Sequence, residues 1–329
     1  MRALGLISAL AGLTGALLYL AAAGGAPVAP VLAGLAPFPF FVAALGWGNL
    51  AGLLAGGTAL FITFAGLAPS AGPAMALSNA IVFAATIIAP ALWLSRLALL
   101  RRHVTMGDPN SPVEWYPLGR LVVWVALIAC AGYLALEALT WAVTGLSLPT
   151  ALAQFLQAGI PPEMRAELLS RLKAPSWEVV LDLMSRMLPA MGGVFWQIWI
   201  VANGMGAYSL LAATGRCPRP EAGWRNLALP RGFAVAFLIA LTLTLAVPTL
   251  RHMSLTLTAL LFVPYFFLGL GVVHAIPLKG PGRFALLGLF YFLLLLQAWL
   301  AILVGIIGLL AQWSGMRTRS PRGPGREDK

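Results

Sequence analysis

Residues 3–20, ALGLISALAGLTGALLYL, and 49–68, NLAGLLAGGTALFITFAGLA, are two pieces of one uncharged stretch. From Ala3 to Ser95 the chain contains no Asp, Glu, Lys or Arg. A soluble fold cannot cover that much continuous apolar surface, whereas a bilayer does. A hydrocarbon core about 30 Å thick is crossed by roughly 20 apolar residues in a helix. Apolar segments of that length recur along the chain, punctuated by Gly, Pro or Arg clusters. The reading is an all-α polytopic transmembrane bundle.

The rest of the 329-residue chain agrees. It is 60% hydrophobic and 9% charged, with a mean hydropathy of +0.90. Its 35 Gly and 24 Pro are tolerated in membrane helices. The net charge of +11 sits in loops beside apolar spans. That placement points to orientation and to anionic headgroups of the lipid bilayer, and away from nucleic acid. Cys130 falls in an apolar span and Cys217 in a basic loop, with no CxxC, so neither a disulfide nor a cysteine metal site is expected. His103, His252 and His274 lie far apart without acidic neighbours at ligand spacing, and no metal or cofactor is implied. The start, Met1–Ala23, has signal-peptide features, but further spans follow at once, so it reads as an uncleaved first membrane helix.

Nine hydrophobic segments are expected, at 4–23, 28–46, 48–68, 74–95, 119–144, 188–213, 231–250, 255–277 and 284–312. Gly24-Gly25, Gly46-Trp47-Gly48-Asn49 and Pro69-Ser70-Ala71-Gly72-Pro73 separate the first four. Pro30, Pro37 and Pro39 mark 28–46 as a broken or re-entrant helix. Arg96, Arg101, Arg102 and Arg120 in one loop, and Arg216, Arg219, Arg225 and Arg231 in another, read as cytoplasmic, which places the N-terminus and Lys279–Arg283 inside as well. Residues 1–313 read as one integral membrane domain, and 314–329 as a disordered basic tail in contact with headgroups. An odd ninth span puts that tail outside, against the charge rule; either the tail is an exception or one segment between 231 and 312 does not cross. The long outer connection 146–187 reads as amphipathic helices on the membrane surface. One starts at Pro161-Pro162-Glu163 and one after Pro175, with Ser176 as N-cap; a substrate lid is the sharper alternative.

Enzyme signatures are missing: no P-loop, HExxH or GxSxG, and no paired carboxylates within the spans. No catalytic residues are assigned, and an enzyme is not expected. The informative residues are polar groups inside apolar helices. Glu137 is the one carboxylate in the first five spans, near an outer end, with either an interfacial or a ligand role. Asn203 and Gln197, flanked by Trp196 and Trp199, read either as interhelical glue or as a polar pocket lined by aromatics. Asn79, His274 and mid-span Gln297 carry the same two readings. Gly48, Gly52 and Gly56 recur every four residues as a helix-packing face, turned either inside the bundle or toward a partner.

Several phrases together resemble the YybS-like family of bacterial multi-pass membrane proteins, a domain of unknown function, in its alphaproteobacterial form. They are Glu114-Trp115-Tyr116-Pro117-Leu118-Gly119-Arg120, Trp196 through Asn203, Arg219-Pro220, Leu229-Pro230, Gly269-Leu270-Gly271-Val272-Val273-His274, and Gly308-Leu309 leading to Trp313, Arg317 and Arg319. They run in order over most of 114–319. Gln312-Trp313-Ser314-Gly315 lacks the acids that surround the family's closing Trp, and the first hundred residues match only in hydropathy and glycine content. The family is distantly similar to the substrate-binding subunits of energy-coupling-factor transporters. That resemblance implies a small-solute-binding subunit of the bacterial inner membrane without its own ATPase, working with membrane or ATPase partner subunits. The alternative is a non-catalytic scaffold of a cell-envelope assembly.

Overall fold

Prolines and glycines, not charges, cut the first hundred residues into helices. The computed structural model describes residues 2–24, 28–103, 112–217, 219–220, 227–276 and 281–313. Gly25, Arg225, Lys279 and the basic tail 314–329 lie outside the described residues. Helix α1 (Arg2–Leu20) is followed by α2 (Ala29–Gly34) and α3 (Phe38–Trp47), which make one span broken at Leu35–Pro37. The break falls among the prolines, which lack the N–H that continues a helical ladder. Gly48, with φ +87°, turns α3 into α4 (Asn49–Ala71). Gly72 and Pro73 then open α5 (Pro73–Phe83), which passes through a π turn, Ala84–Ile88, into α6 (Ala89–Ala98).

An antiparallel hairpin follows, β1 (Arg101–His103) against β2 (Val113–Trp115), with Arg101 opposite Trp115. Nothing in the hydropathy announces it. Helix α7 (Leu118–Thr144) then leads to α8 (Leu148–Gly159), α9 (Pro162–Leu172) and α10 (Trp177–Ala213). The chain closes with α11 (Arg231–Ala246), α12 (Arg251–Ala275), α13 (Pro281–Leu296) and α14 (Leu300–Trp313).

Among the described residues seven helical segments are long and apolar enough to cross a membrane, and eight if the α13–α14 pair is counted. This is an all-α, multi-pass architecture. Helix α11 has 16 residues, about 24 Å at 1.5 Å per residue, because the expected segment 231–250 stops before Pro248.

Two expectations are corrected. The outer connection is not 146–187, because the stretch after Ser176 is the first part of α10, a single 37-residue helix. Its internal Pro189 removes one hydrogen bond without ending the helix. The amphipathic helices of the connection are instead α8, which was not anticipated, and α9, which starts at Pro162 as the sequence suggests. The last segment, 284–312, is not one span: α13 and α14 are bent by 118° at Gln297–Trp299. The Gln297 N–H still closes the last turn of α13 on the Leu293 carbonyl at 2.8 Å, and its side-chain oxygen accepts a hydrogen bond from the Trp299 indole at 3.0 Å.

Helix α10 is the centre, packing against α3, α7, α8 and α12. Lipid tails are as apolar as side chains, so close backbone approach, rather than a hydrophobic drive, holds such helices together. The tightest crossing is α12 with α14. A Cβ at Gly269 would lie 1.9 Å from the Val304 carbonyl oxygen, and one at Gly308 would lie 2.0 Å from that of Tyr265. Backbone cannot yield as a side chain does. Gly308→Ala should therefore lower thermal stability in detergent by about 1–3 kcal/mol, the usual range for overpacking. Gly132→Ala, with nothing within 4 Å, should not. Equal stability of the two variants would contradict this packing.

Candidate functional site

A proline inside a helix leaves the carbonyl four residues earlier without its N–H donor. In lipid no water replaces that donor, so a neighbouring helix has to. Helix α10 does this for three other spans. Pro90 has no N–H for Thr86, and the Trp196 indole donates to the Thr86 carbonyl at 2.8 Å. Pro264 has none for Leu260, and Gln197 Nε2 donates to the Leu260 carbonyl at 3.2 Å. At the α2–α3 break the Phe38 N–H turns to Leu35. Asn203 Nδ2 donates to the stranded Gly34 carbonyl at 2.8 Å, and to Trp199 O at 2.7 Å. Gln197 and Asn203 are buried accordingly. Their donors are committed to backbone repair.

The other expected ligand residues are scattered. The Trp199 ring lies over Gly34, 3.1 Å from where a Cβ would stand. Asn79 is on α5, bonded to Met75 O within its own turn, and its carbonyl accepts from the Tyr19 hydroxyl. His274 Nδ1 donates to Leu270 O at 2.9 Å, leaving Nε2 to accept from the Tyr291 hydroxyl at 3.3 Å. Trp196, Gln197, Trp199 and Asn203 thus share a helix, and none of them lines either of the two cavities described below; Asn79 and His274 lie on other helices.

The glycine face is corrected in part. A Cβ at Gly52 would meet Leu92 at 2.5 Å and Ala44 at 2.9 Å, and one at Gly56 would meet Ile88 at 2.8 Å. Both pack inside the bundle. Gly48 does not belong to that face: it is the positive-φ turn between α3 and α4, with nothing within 4 Å.

Glu137 is different. It lies near the end of α7, 9% exposed. Its Oε1 accepts from the Leu148 N–H at 3.2 Å, the first residue of α8, where helical N–H groups lack partners and the dipole favours a negative charge. The same oxygen lies 3.7 Å from His252 Nε2, an ion pair when His252 is protonated. Oε2 has no hydrogen-bond partner.

His252 in turn lines a cavity of about 300 Å³ between α8, α10 and the start of α12. The remaining polar wall is Ser147, Thr150, Glu178, Asp182, Ser185 and Arg186. Ser147 and Thr150 hydroxyls are 2.9 Å apart. Arg186 pairs with Asp182 at 2.7 Å, one turn away on an exposed face, a pair worth little in stability. The acids are therefore in excess, and the cavity is suited to a small cation or zwitterion. Among the described residues no group of three or more His, Cys, Asp or Glu could hold one metal ion.

The sequence carries a signal for this wall. Glu178, Asp182 and Ser185 recur at i, i+4 and i+7, which is one helical face, on a stretch whose charges suggest a separate surface helix.

Comparison with protein-family models, curated proteins and solved structures gives no match.

Replacing Glu137 by Leu should free the N-terminus of α8. Hydrogen exchange at 148–152 should rise about tenfold or more, the equivalent of one charge-assisted hydrogen bond, while 190–205 stays protected. Unchanged exchange at 148–152 would show that the carboxylate does not hold the helix.

Proposed function

We propose that this chain is a solute-binding, transporter-like membrane protein without its own ATPase, and that it takes a small cationic or zwitterionic solute in the cavity between α8, α10 and α12. One observation carries the reading: a buried carboxylate, Glu137, stands behind His252, which faces an acid-rich cavity of about 300 Å³. That volume is at the lower end for small-molecule sites. A half-free carboxylate this close to a hydrocarbon core is costly, and functional sites are where such cost is found. The resemblance to the YybS-like family supports the same reading through the motifs of 114–319, and with it a bacterial inner-membrane location and dependence on partner subunits for energy.

The orientation that fits puts the N-terminus, the hairpin and the segment after α10 in the cytoplasm, and the cavity on the other side. The 118° bend supports it. A re-entrant α13–α14 pair brings the end of α14 back to the side of Arg283, which removes the charge-rule conflict of a ninth span. The scaffold reading rests on the glycine face and the amphipathic outer connection as protein interfaces; of these, Gly52 and Gly56 are occupied by Leu92 and Ile88 of the chain itself.

The test is thermal unfolding of the detergent-purified full chain with thiamine, choline and a set of amino acids. At least one should raise the midpoint saturably, and the double variant Glu178→Gln/Asp182→Asn should abolish the rise while Trp199→Leu keeps it. No response to any of them, or a response indifferent to the double variant, would refute the site.

A further inference from the structure

Arg219 is a buried cation. It lies in the segment after α10, 9% exposed. Among the described residues no carboxylate pairs with it. Its Nη1 donates to the Ala98 carbonyl at 3.1 Å and its Nη2 to the Tyr116 carbonyl at 2.9 Å. Those bonds tie the end of α6 and the hairpin to the segment after α10, and a helix C-terminus favours a cation. Two carbonyls do not neutralise a guanidinium, however, and Nε has no partner at all. Loss of water pulls the Arg219 pKa below its usual value, yet arginine keeps its proton in proteins.

Arg219 lines a cavity of about 140 Å³ between α3, α6, α7 and α10. This is a different place from the outer cavity. The two lie toward opposite ends of α7, with Val122 and Glu137 roughly 20 Å apart along the helix. The inner walls are apolar, among them Phe41, Leu94, Val122, Val125, Ile200 and Val201. The Ser95 hydroxyl also lines it, fully buried on α6 and without a hydrogen-bond partner. A buried donor left unpaired is costly; here a guanidinium N–H and a hydroxyl share one apolar chamber. The flanking segments carry Arg96, Arg101, Arg102, Arg120, Arg216 and Arg231, which attract anions to this end of the bundle.

We propose that this cavity binds an amphiphile with an oxyanion head, a carboxylate or phosphate on an apolar body, with the head at Arg219 and Ser95 and the body among the walls of α3, α7 and α10. The oxyanion completes the guanidinium's charge and both unpaired donors. The apolar body replaces empty volume. A free fatty acid and an anionic phospholipid share that chemistry, and basic pockets between membrane helices are known to take lipid heads.

The purified full chain would be tested in neutral detergent with octanoate and with octan-1-ol as the uncharged control. In parallel, nanodiscs of mixed phosphatidylglycerol and phosphatidylcholine would be examined by native mass spectrometry for retained lipid. Octanoate should raise the unfolding midpoint and octan-1-ol should not. Arg219→Gln should weaken octanoate binding about tenfold or more, the scale of one hydrogen bond to a charged group. Val201→Phe, which fills the chamber and leaves Arg219 in place, should abolish binding. Selective retention of phosphatidylglycerol without an octanoate response would support the same site with a membrane lipid as its source, provided Val201→Phe loses the lipid. If Arg219→Gln does not fold, Ser95→Val and Val201→Phe make the comparison. Equal effects of octanoate and octan-1-ol, binding that survives Val201→Phe, or neither an octanoate response nor lipid retention would overturn the proposal.

Discussion

Every backbone N–H and C=O in the hydrocarbon core needs a partner from the protein itself, and the arrangement of this bundle follows from how α10 supplies them. The chain uses proline freely inside its spans. Each such proline, or break beside one, strands a carbonyl. Thr86, Leu260 and Gly34 belong to three different helical segments, and Trp196, Gln197 and Asn203 reach all three from one helix. A single polar stripe therefore fixes where the broken α2–α3 span, the π turn before α6 and the proline-bearing α12 sit around α10. Small residues then permit the close approach: Gly269 and Gly308 at the α12–α14 crossing, Gly52 and Gly56 where α4 meets α3 and α6.

With those donors committed to the middle of the bundle, where Gln197 Oε1 and Asn203 Oδ1 keep no partner, the charged groups with spare hydrogen-bonding capacity, Glu137 and Arg219, lie toward its two ends. At one end Glu137 holds the start of α8 and stands against His252, with one carboxylate oxygen unpaired. At the other Arg219 holds the end of α6 and the hairpin, with one guanidinium N–H unpaired. Both residues work as backbone clamps, and both keep a charged edge beside a cavity or behind one. The acid-rich end suits a small cation or zwitterion, and the arginine end an oxyanion. Chemistry that the apolar middle excludes is thus available where the helices meet loops.

The apolar periodicity of the first hundred residues and the loop arginines made the helical membrane fold plain, because helix length and bilayer thickness leave few alternatives. The span boundaries read well up to Thr144. They failed at α10 because Pro175-Ser176 and the charges of 178–186 look like a surface segment, although only Pro189 interrupts the helix beyond them. They failed at α13–α14 because nothing in the run 284–312 distinguishes a straight span from a sharp bend; Gln297 was the one polar mark. The site was less legible. Asn203, Gln197 and Trp196 stood out as polar or indole groups in apolar sequence. Their partners are backbone carbonyls distant in sequence, which no side-chain pattern encodes. Pro90 and Pro264 did carry the clue, since each announces a carbonyl four residues earlier in need of a donor. Arg219 read as one loop arginine among several, because burial is a property of the fold.

The most direct test of the central claim is a double-mutant cycle between Gln197→Leu and Pro264→Ala, followed by thermal or denaturant unfolding in detergent. Gln197→Leu alone should destabilise the protein by about 1 kcal/mol or more, since it strands the Leu260 carbonyl. In the Pro264→Ala background a backbone N–H is restored to that carbonyl, and the loss should fall to less than half. Such coupling between positions on different helices would show that Gln197 serves the proline-orphaned carbonyl. Strictly additive effects would contradict it and leave the stripe on α10 without its structural role.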